Sequence, residues 1–252
     1  MCPYQRHIAH LFKNPPQPRQ PLFHTDPDTF MNEHSLDAAL KAAGAGVMEL
    51  ISLWKKLDNA FCAVRPSGHH AERDQAMGFC FFNNISIAAA HALEKYHLER
   101  VAIIDFDVHH GNGSEDIFEN NERIMVCSSN EHTLYPYSGR PTVLRHLINC
   151  PLSPGSAGPE FRMVVQKECL PALEAFQPQF IFISAGFDAH WQDGMAQLQL
   201  NESDYRWVTQ KIAEIAHKHA GGRIVSMLEG GYFLDSLGRS AEQHIRVLMG
   251  LD

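Results

Sequence analysis

Short apolar runs alternating with amphipathic stretches constrain the fold of this chain more than any other feature. The runs at 61–64, Val101–Asp105, 123–128, 180–184 and 223–228 are apolar through most of their length and too short for buried helices. A weaker run lies at 146–150. Between them, 83–96, 160–176, 203–219 and 233–249 carry apolar residues at helical spacing. An earlier helix is expected after Ser35, read as its N-cap, because Leu36, Ala39, Leu40, Ala43, Val47 and Leu50 recur with the helical period. Apolar strands separated by helices predict an α/β fold whose mostly parallel central sheet is covered on both faces.

The chain has 252 residues, enough for one such domain. Pro3, Pro15, Pro16, Pro18, Pro21 and Pro27 mark residues 1–27 as an irregular proline-rich segment with one short helix near 7–12. The domain proper is expected over 28–252. The formal net charge is −8, with no lysine- or arginine-rich block, which argues against a nucleic-acid partner. No signal peptide or membrane-length apolar run is present, so no membrane partner is expected. Six cysteines occur without a Cys-x-x-Cys pair, several inside apolar runs. Buried reduced thiols in a cytoplasmic protein are the expectation.

In parallel α/β sheets the site forms at the carboxyl ends of the strands, and nearly every chemically suggestive residue follows an apolar run. After Val101–Asp105 come Asp105, Asp107 and His109, which alternate and so share one side of an extended chain. Three polar groups at an apolar strand end need a partner, and a divalent cation provides one. A hydrogen-bonded Asp–His pair is the plainer reading of that segment alone. The end of the run at 180–184 adds Asp188, with His190 as the competing third ligand. Three protein ligands and one open position suit a hydrolytic zinc site. The tandem His69–His70 follows the run at 61–64; a base with an electrostatic helper and a surface pair are both open readings. Last, Glu229-Gly230-Gly231-Tyr232 presents a phenol that can donate to a developing oxyanion.

Taken together, the blocks Arg65-Pro-Ser-Gly-His-His-Ala, Gly78-Phe-Cys-Phe-Phe-Asn-Asn, Asp105-Phe-Asp-Val-His-His-Gly-Asn-Gly, Ser184-Ala-Gly-Phe-Asp-Ala and Glu229-Gly-Gly-Tyr resemble the histone deacetylase family, closest to its class II and bacterial branch. The resemblance runs from about Asp26 to the C-terminus and implies the single-domain, three-layer arginase/deacetylase fold. It implies zinc, one ion per chain, on Asp107, His109 and Asp188. It makes His70 the general base, His69 its partner held by Asp105, Asn112 the residue beside His70, and Tyr232 the oxyanion donor. Asn112 stands where class I members carry aspartate, which implies a lower pKa for His70 than an aspartate partner would give. Gly78, Phe79, Tyr135, Met195 and Gly231 match the substrate tunnel and its rim. Asp105, Asp107, His109, Ser128 and Ser129 match a structural potassium site, and Phe118, Asn121 and Ile124 part of a second.

The implied reaction is hydrolysis of acetyl-lysine, on a protein or in a related small acetyl-amide, to acetate and a free amine. Met195 argues against a polycationic substrate, so an acetylpolyamine amidohydrolase is the second reading. An arginase-like binuclear manganese centre needs an aspartate where Gly111 stands. A weakly active or non-catalytic acyl-lysine binding protein is a third reading. It is prompted by the stretch that members carry before the point matching Asp26: their first strand and a proline/arginine block have no counterpart here. Asp26 is the nearest candidate for the acidic residue that orients the substrate backbone. The exposed sheet edge so implied is expected to be covered by the N-terminal segment or by a second subunit in a homo-oligomer.

Overall fold

A computed structural model describes residues 3–13, 22–55, 59–142 and 144–251. Cys2, Pro15, Pro16, Pro18 and Pro21 lie outside the described residues. Six strands form one sheet, all parallel: β3 (Asn59–Cys62), β4 (Val101–Asp105), β5 (Ile124–Glu131), β6 (Leu147–Leu152), β7 (Phe180–Ala185) and β8 (Ile224–Leu228), in the order β3-β8-β7-β4-β5-β6. Nothing among the described residues pairs with the outer edge of β3. The run at 146–150, the faintest in the sequence, is the β6 edge.

Alternate residues of each central strand go to opposite faces, which builds two apolar layers. Ala102, Ile104, Ile181 and Ile183 join Phe161, Leu173, Tyr205, Val208 and Ile212 on one face. Val101, Ile103, Phe180 and Phe182 join Leu50, Ile85, Ala88 and Ala92 on the other. The helices α2 (Ser35–Lys55), α3 (Asn84–Tyr96) and the short α4 (Asn112–Phe118) cover this second face. The first face carries α5 (Gly158–Val164), α6 (Leu170–Phe176), α7 (Glu202–His219) and α8 (Leu234–Leu248). The result is the three-layer α/β arrangement expected from the sequence.

Local departures from that expectation have local causes. The helix foreseen over 160–176 contains a wide turn at Val165–Cys169, where Leu170 N donates to Val165 O. Pro171 lacks the N–H that a regular helix would direct at Lys167 O, and its ring crowds that carbonyl, so the chain widens just before it. Ser35 is the first helical residue of α2 rather than its cap; Asn32 Oδ1 accepts from His34 N and from Ser35 Oγ. The N-terminal helix α1 (Pro3–Lys13) is longer than the stretch near 7–12. It buries Leu11 against Met31, Ala39, Phe81 and Phe82, and His7 Nε2 donates to Phe81 O at 2.9 Å. An antiparallel hairpin, β1 (Phe23–Asp26) and β2 (Thr29–Met31), lies where irregular chain was expected. No helix of the described residues is long and apolar enough to cross a membrane.

Candidate active site

All six parallel strands end on the same edge of the sheet, and there the polar residues converge. Asp105 closes β4, in register with Ser128 of β5 and Ser184 of β7. Beyond the strand the chain bends at 107–109 rather than running on extended, with Asp107 N donating to Asp105 Oδ1, and Asp105, Asp107 and His109 are buried together, each at most 7% exposed. Asp188, just past β7, is 1% exposed. One ligand atom each from Asp107, His109 and Asp188 falls within 4.8 Å of the others. His109 Nδ1 is 3.1 Å from both Asp107 Oδ1 and Asp188 Oδ2. Asp188 lies with Asp107 and His109, and His190 does not. The His190 ring nitrogens face Gln192 N at 3.1 Å and Glu202 at 3.5 Å, away from the trio.

Backbone amides hold the carboxylates in place. Gly230 N donates to Asp107 Oδ2 (2.8 Å), His109 N to Asp107 Oδ1 (2.9 Å) and Val108 N to Asp188 Oδ1 (2.9 Å). Glycines make this approach possible. A Cβ at Gly186 would stand 2.1 Å from Asp107 Oδ2, and one at Gly230 2.2 Å from Asp188 Oδ2. Burial and the neighbouring Asp107 charge raise Asp188 to about 6.

The two histidines of the tandem differ in charge. His69 Nδ1 lies 2.9 Å from Asp105 Oδ2. Burial lowers its basicity, but the Asp105 and Asp107 carboxylates outweigh burial and hold it well above the ordinary histidine value. His70 is held well below that value by burial and by the charge of His69. Its Nδ1 sits 2.7 Å from Asn112 Oδ1, so Nδ1 carries the proton and Nε2 is free to accept one. Asn112 Nδ2 in turn donates to Glu72 Oε1 at 2.6 Å. Glu229 Oε2 accepts from Gly68 N and His69 N, which fixes the turn bearing both rings.

Above these groups is a narrow cavity of about 140 Å³. Its lining includes His70 and His109, the aromatic rings of Phe79 and Tyr135, and Gly78, Met195 and Tyr232. Gly231 lines instead an adjoining cavity of about 400 Å³, together with Arg65, Glu229 and Tyr232. Ser128 and Ser129 lie directly under the site: Ser129 Oγ reaches Asp105 O at 3.5 Å, and the buried Ser128 hydroxyl has no hydrogen-bond partner among the described residues. The structure also adds a residue that the sequence reading misplaced. Asp28, not Asp26, lines the narrow cavity. Asp28 Oδ1 accepts from Gly78 N, and Thr29 Oγ1 accepts from Phe79 N, so the hairpin turn supports the Gly78–Phe79 wall. Asp26 instead accepts from Asp28 N. The turn residues Asp26-Pro27-Asp28 were the available signal for it.

Fold and site together define an α/β protein with a buried carboxylate–imidazole centre at the carboxyl edge of a parallel sheet. The chain belongs to the histone deacetylase family: the family's Histone deacetylase domain matches residues 4–248. It is 39% identical over 206 residues to a histone deacetylase-like amidohydrolase of Pseudomonas aeruginosa, covering 79% of this chain and 54% of that protein. A probable deacetylase of Archaeoglobus fulgidus is 38% identical over 217 residues, covering 83% of this chain and 60% of the other. Among solved structures, that of the HDA15 HD domain superposes with a TM-score of 0.89 at 34% identity, covering 97% of this chain and 71% of that one. The chain thus spans little more than half the length of these two curated relatives.

Proposed function

We propose that this domain is a zinc-dependent deacetylase that hydrolyses acetyl-lysine or a small acetyl-amide to acetate and a free amine. The observation that carries the reading is the Asp107–His109–Asp188 trio at the base of a narrow aromatic-walled cavity, beside a neutral, Asn112-supported His70. Two carboxylates and an imidazole suit zinc, and the glycine approaches at 186 and 230 leave room for the carboxylates to converge. Zinc bound there supplies Lewis-acid polarisation of the acyl carbonyl.

The rest of the chemistry belongs to the chain. The cavity walls Phe79 and Tyr135 grip an apolar stem and exclude water. His70 Nε2 takes the proton of the attacking water, and the protonated His69 stabilises the negative charge that develops beside it. Tyr232 keeps its proton because burial and the Asp188 and Asp107 charges push its pKa up, so the phenol donates to the oxyanion. A proton returned from the histidine pair releases the amine.

The buried Ser128 hydroxyl next to Asp105, without a hydrogen-bond partner among the described residues, supports a structural potassium ion on Asp105, Asp107, His109, Ser128 and Ser129. Five buried free thiols suit a cytoplasmic setting. The uncharged Met195 at the rim favours an acetyl-lysine peptide over an acetylpolyamine.

Zinc content measured by elemental analysis, with turnover of a fluorogenic acetyl-lysine peptide, tests the reading. Expected are one zinc per chain and turnover lost on chelation and restored by zinc. Zinc-replete protein without bound metal would end it. Bound zinc without turnover would favour the acyl-lysine binding reading. Rates on acetylpolyamine and on a small acetyl-amide decide among substrates.

A further inference from the structure

Two glycines, Gly230 and Gly231, precede Tyr232, and Gly231 sits at φ +138°, where residues with side chains rarely go. Backbone this free does not by itself hold a phenol to the tolerance that a hydrogen bond to a reacting oxygen needs. The chain is pinned step by step up to this point. Glu229 N donates to Ala185 O at 3.0 Å, and Gly230 N donates to Asp107 at 2.8 Å. The amides of Tyr232 and Phe233 then both donate to a single oxygen, Asp193 Oδ2, at 2.7 and 3.1 Å. The other oxygen of the same carboxylate, Oδ1, accepts from Met195 N at 3.1 Å.

Asp193 is 5% exposed and comes from the loop between β7 and α7. Phe233 is the N-cap of α8 and supplies no capping side chain. Asp193 does not replace that cap; it accepts from the two amides that lead into the helix, and its charge lies near the positive end of α8. One buried carboxylate therefore joins three things: the start of α8, the backbone of Tyr232 and the backbone of Met195. Tyr232 and Met195 both line the narrow cavity, whereas Asp193 does not.

The geometry points to Asp193 as a positioning residue that clamps the Tyr232 and Met195 backbones into one arrangement in the cavity lining. The inference rests on the role proposed above for Tyr232. A carboxylate is required because it accepts on both oxygens. Asparagine offers one acceptor oxygen, so either the Met195 amide or the Tyr232–Phe233 pair would face an N–H group instead.

Asp193→Asn is tested in two ways on zinc-replete protein. Amide hydrogen exchange reads the clamp itself: Tyr232, Phe233 and Met195 should exchange about tenfold faster or more, with β4 amides unchanged. Kinetics on the fluorogenic acetyl-lysine peptide read its consequence: kcat should fall about tenfold or more while KM stays within about threefold. In the Tyr232→Phe background the same substitution should leave kcat unchanged, because the hydroxyl it positions is gone. Unaltered exchange at the three amides would overturn the clamp. An equal loss of kcat in both backgrounds would overturn the link to Tyr232 and leave a scaffold role. Wild-type protein that turns over no peptide would refute the hydrolase reading, while exchange would still decide the clamp. Asp193→Glu keeps the charge but displaces it by one methylene. It should give losses between wild type and Asp193→Asn, and it carries both measurements if the asparagine variant does not fold.

Discussion

At the scale of single residues, the site depends on a few close approaches that tolerate no added atom. Gly186 is the clearest case, since a methyl there would stand 2.1 Å from Asp107 Oδ2 and 2.4 Å from its Cγ. Gly186→Ala is therefore expected to displace the carboxylate and lower zinc occupancy sharply, measured by elemental analysis after equilibration with zinc. Full occupancy would show that Asp107 is not a ligand. Tyr232→Phe removes one atom from the opposite wall and leaves the trio untouched. Loss of one oxyanion donor is expected to lower kcat about 10²–10³-fold, or about 2.7–4 kcal/mol, with zinc still bound. Wild-type turnover in that variant would refute the donor role. The residues in these two arguments were readable from the sequence because the alternation of Asp105, Asp107 and His109 and the glycines before Tyr232 are local patterns. Asp28 was not, because its place in the cavity depends on a hairpin turn meeting the Gly78–Phe79 turn about fifty residues away in sequence. Asp193 escaped for the same reason: nothing near it in the chain shows that its carboxylate holds the amides of Tyr232 and Phe233, about forty residues away.

At the scale of elements, length and burial decided what could be read. β4 and β7 are apolar on both faces, and their fully buried burial patterns match the uniform runs seen in the sequence. α7 carried a clear helical period over its 18 residues. The short pieces were invisible by periodicity alone. The seven residues of α4 complete barely two turns, and the strands of the β1–β2 hairpin have four and three residues. Yet α4 brings Asn112 to His70. A similar dependence of site on element appears at the start of α3. Asn83 Oδ1 accepts from Ser86 N at 3.1 Å, closing the helix end. Its Nδ2 donates to Ala71 O at 3.1 Å and, more weakly, to His69 O at 3.4 Å. The same side chain thus caps a helix and holds the loop that carries the histidine tandem. Asn83→Ala should remove about 1 kcal/mol of cap and lower the melting temperature by about 2–4 °C, with a further drop in turnover from the released loop. Differential scanning calorimetry and peptide turnover check the two parts. A melting temperature equal to wild type would show that the cap contributes nothing.

At the scale of the whole molecule, the apolar layer under α7 and α8 must tolerate the imidazole of His244. His244 of α8 is fully buried, its ring 5.5 to 5.9 Å from those of Phe61, Phe106 and Phe187. Thr209 Oγ1 donates to Tyr205 O at 2.6 Å and so has no proton left for the imidazole. His244 Nδ1 therefore donates to Thr209 at 2.7 Å, and its Nε2 accepts from Ser226 Oγ at 2.8 Å. This network joins α7, α8 and β8 through one neutral ring, and protonation of Nε2 would break it. Burial accordingly lowers His244 from 6.5 to about 3. The folded chain thus binds this proton more weakly than the unfolded chain. Stability from the neutral ring is complete above about pH 6.5 and is lost progressively as pH falls toward about 3, by up to about 5 kcal/mol in all. Between about pH 7.5 and about pH 5 the share is about 2 kcal/mol. His244→Gln keeps polar atoms in the cage and removes the titration. Its unfolding free energy, from urea titrations at the two pH values, should fall with acidification by about 2 kcal/mol less than that of wild type. Equal falls in the two proteins would mean that the acid sensitivity of the fold arises elsewhere, because groups common to both cancel in the comparison. A smaller fall would assign it to the His244 imidazole, which lies between the helices and the sheet.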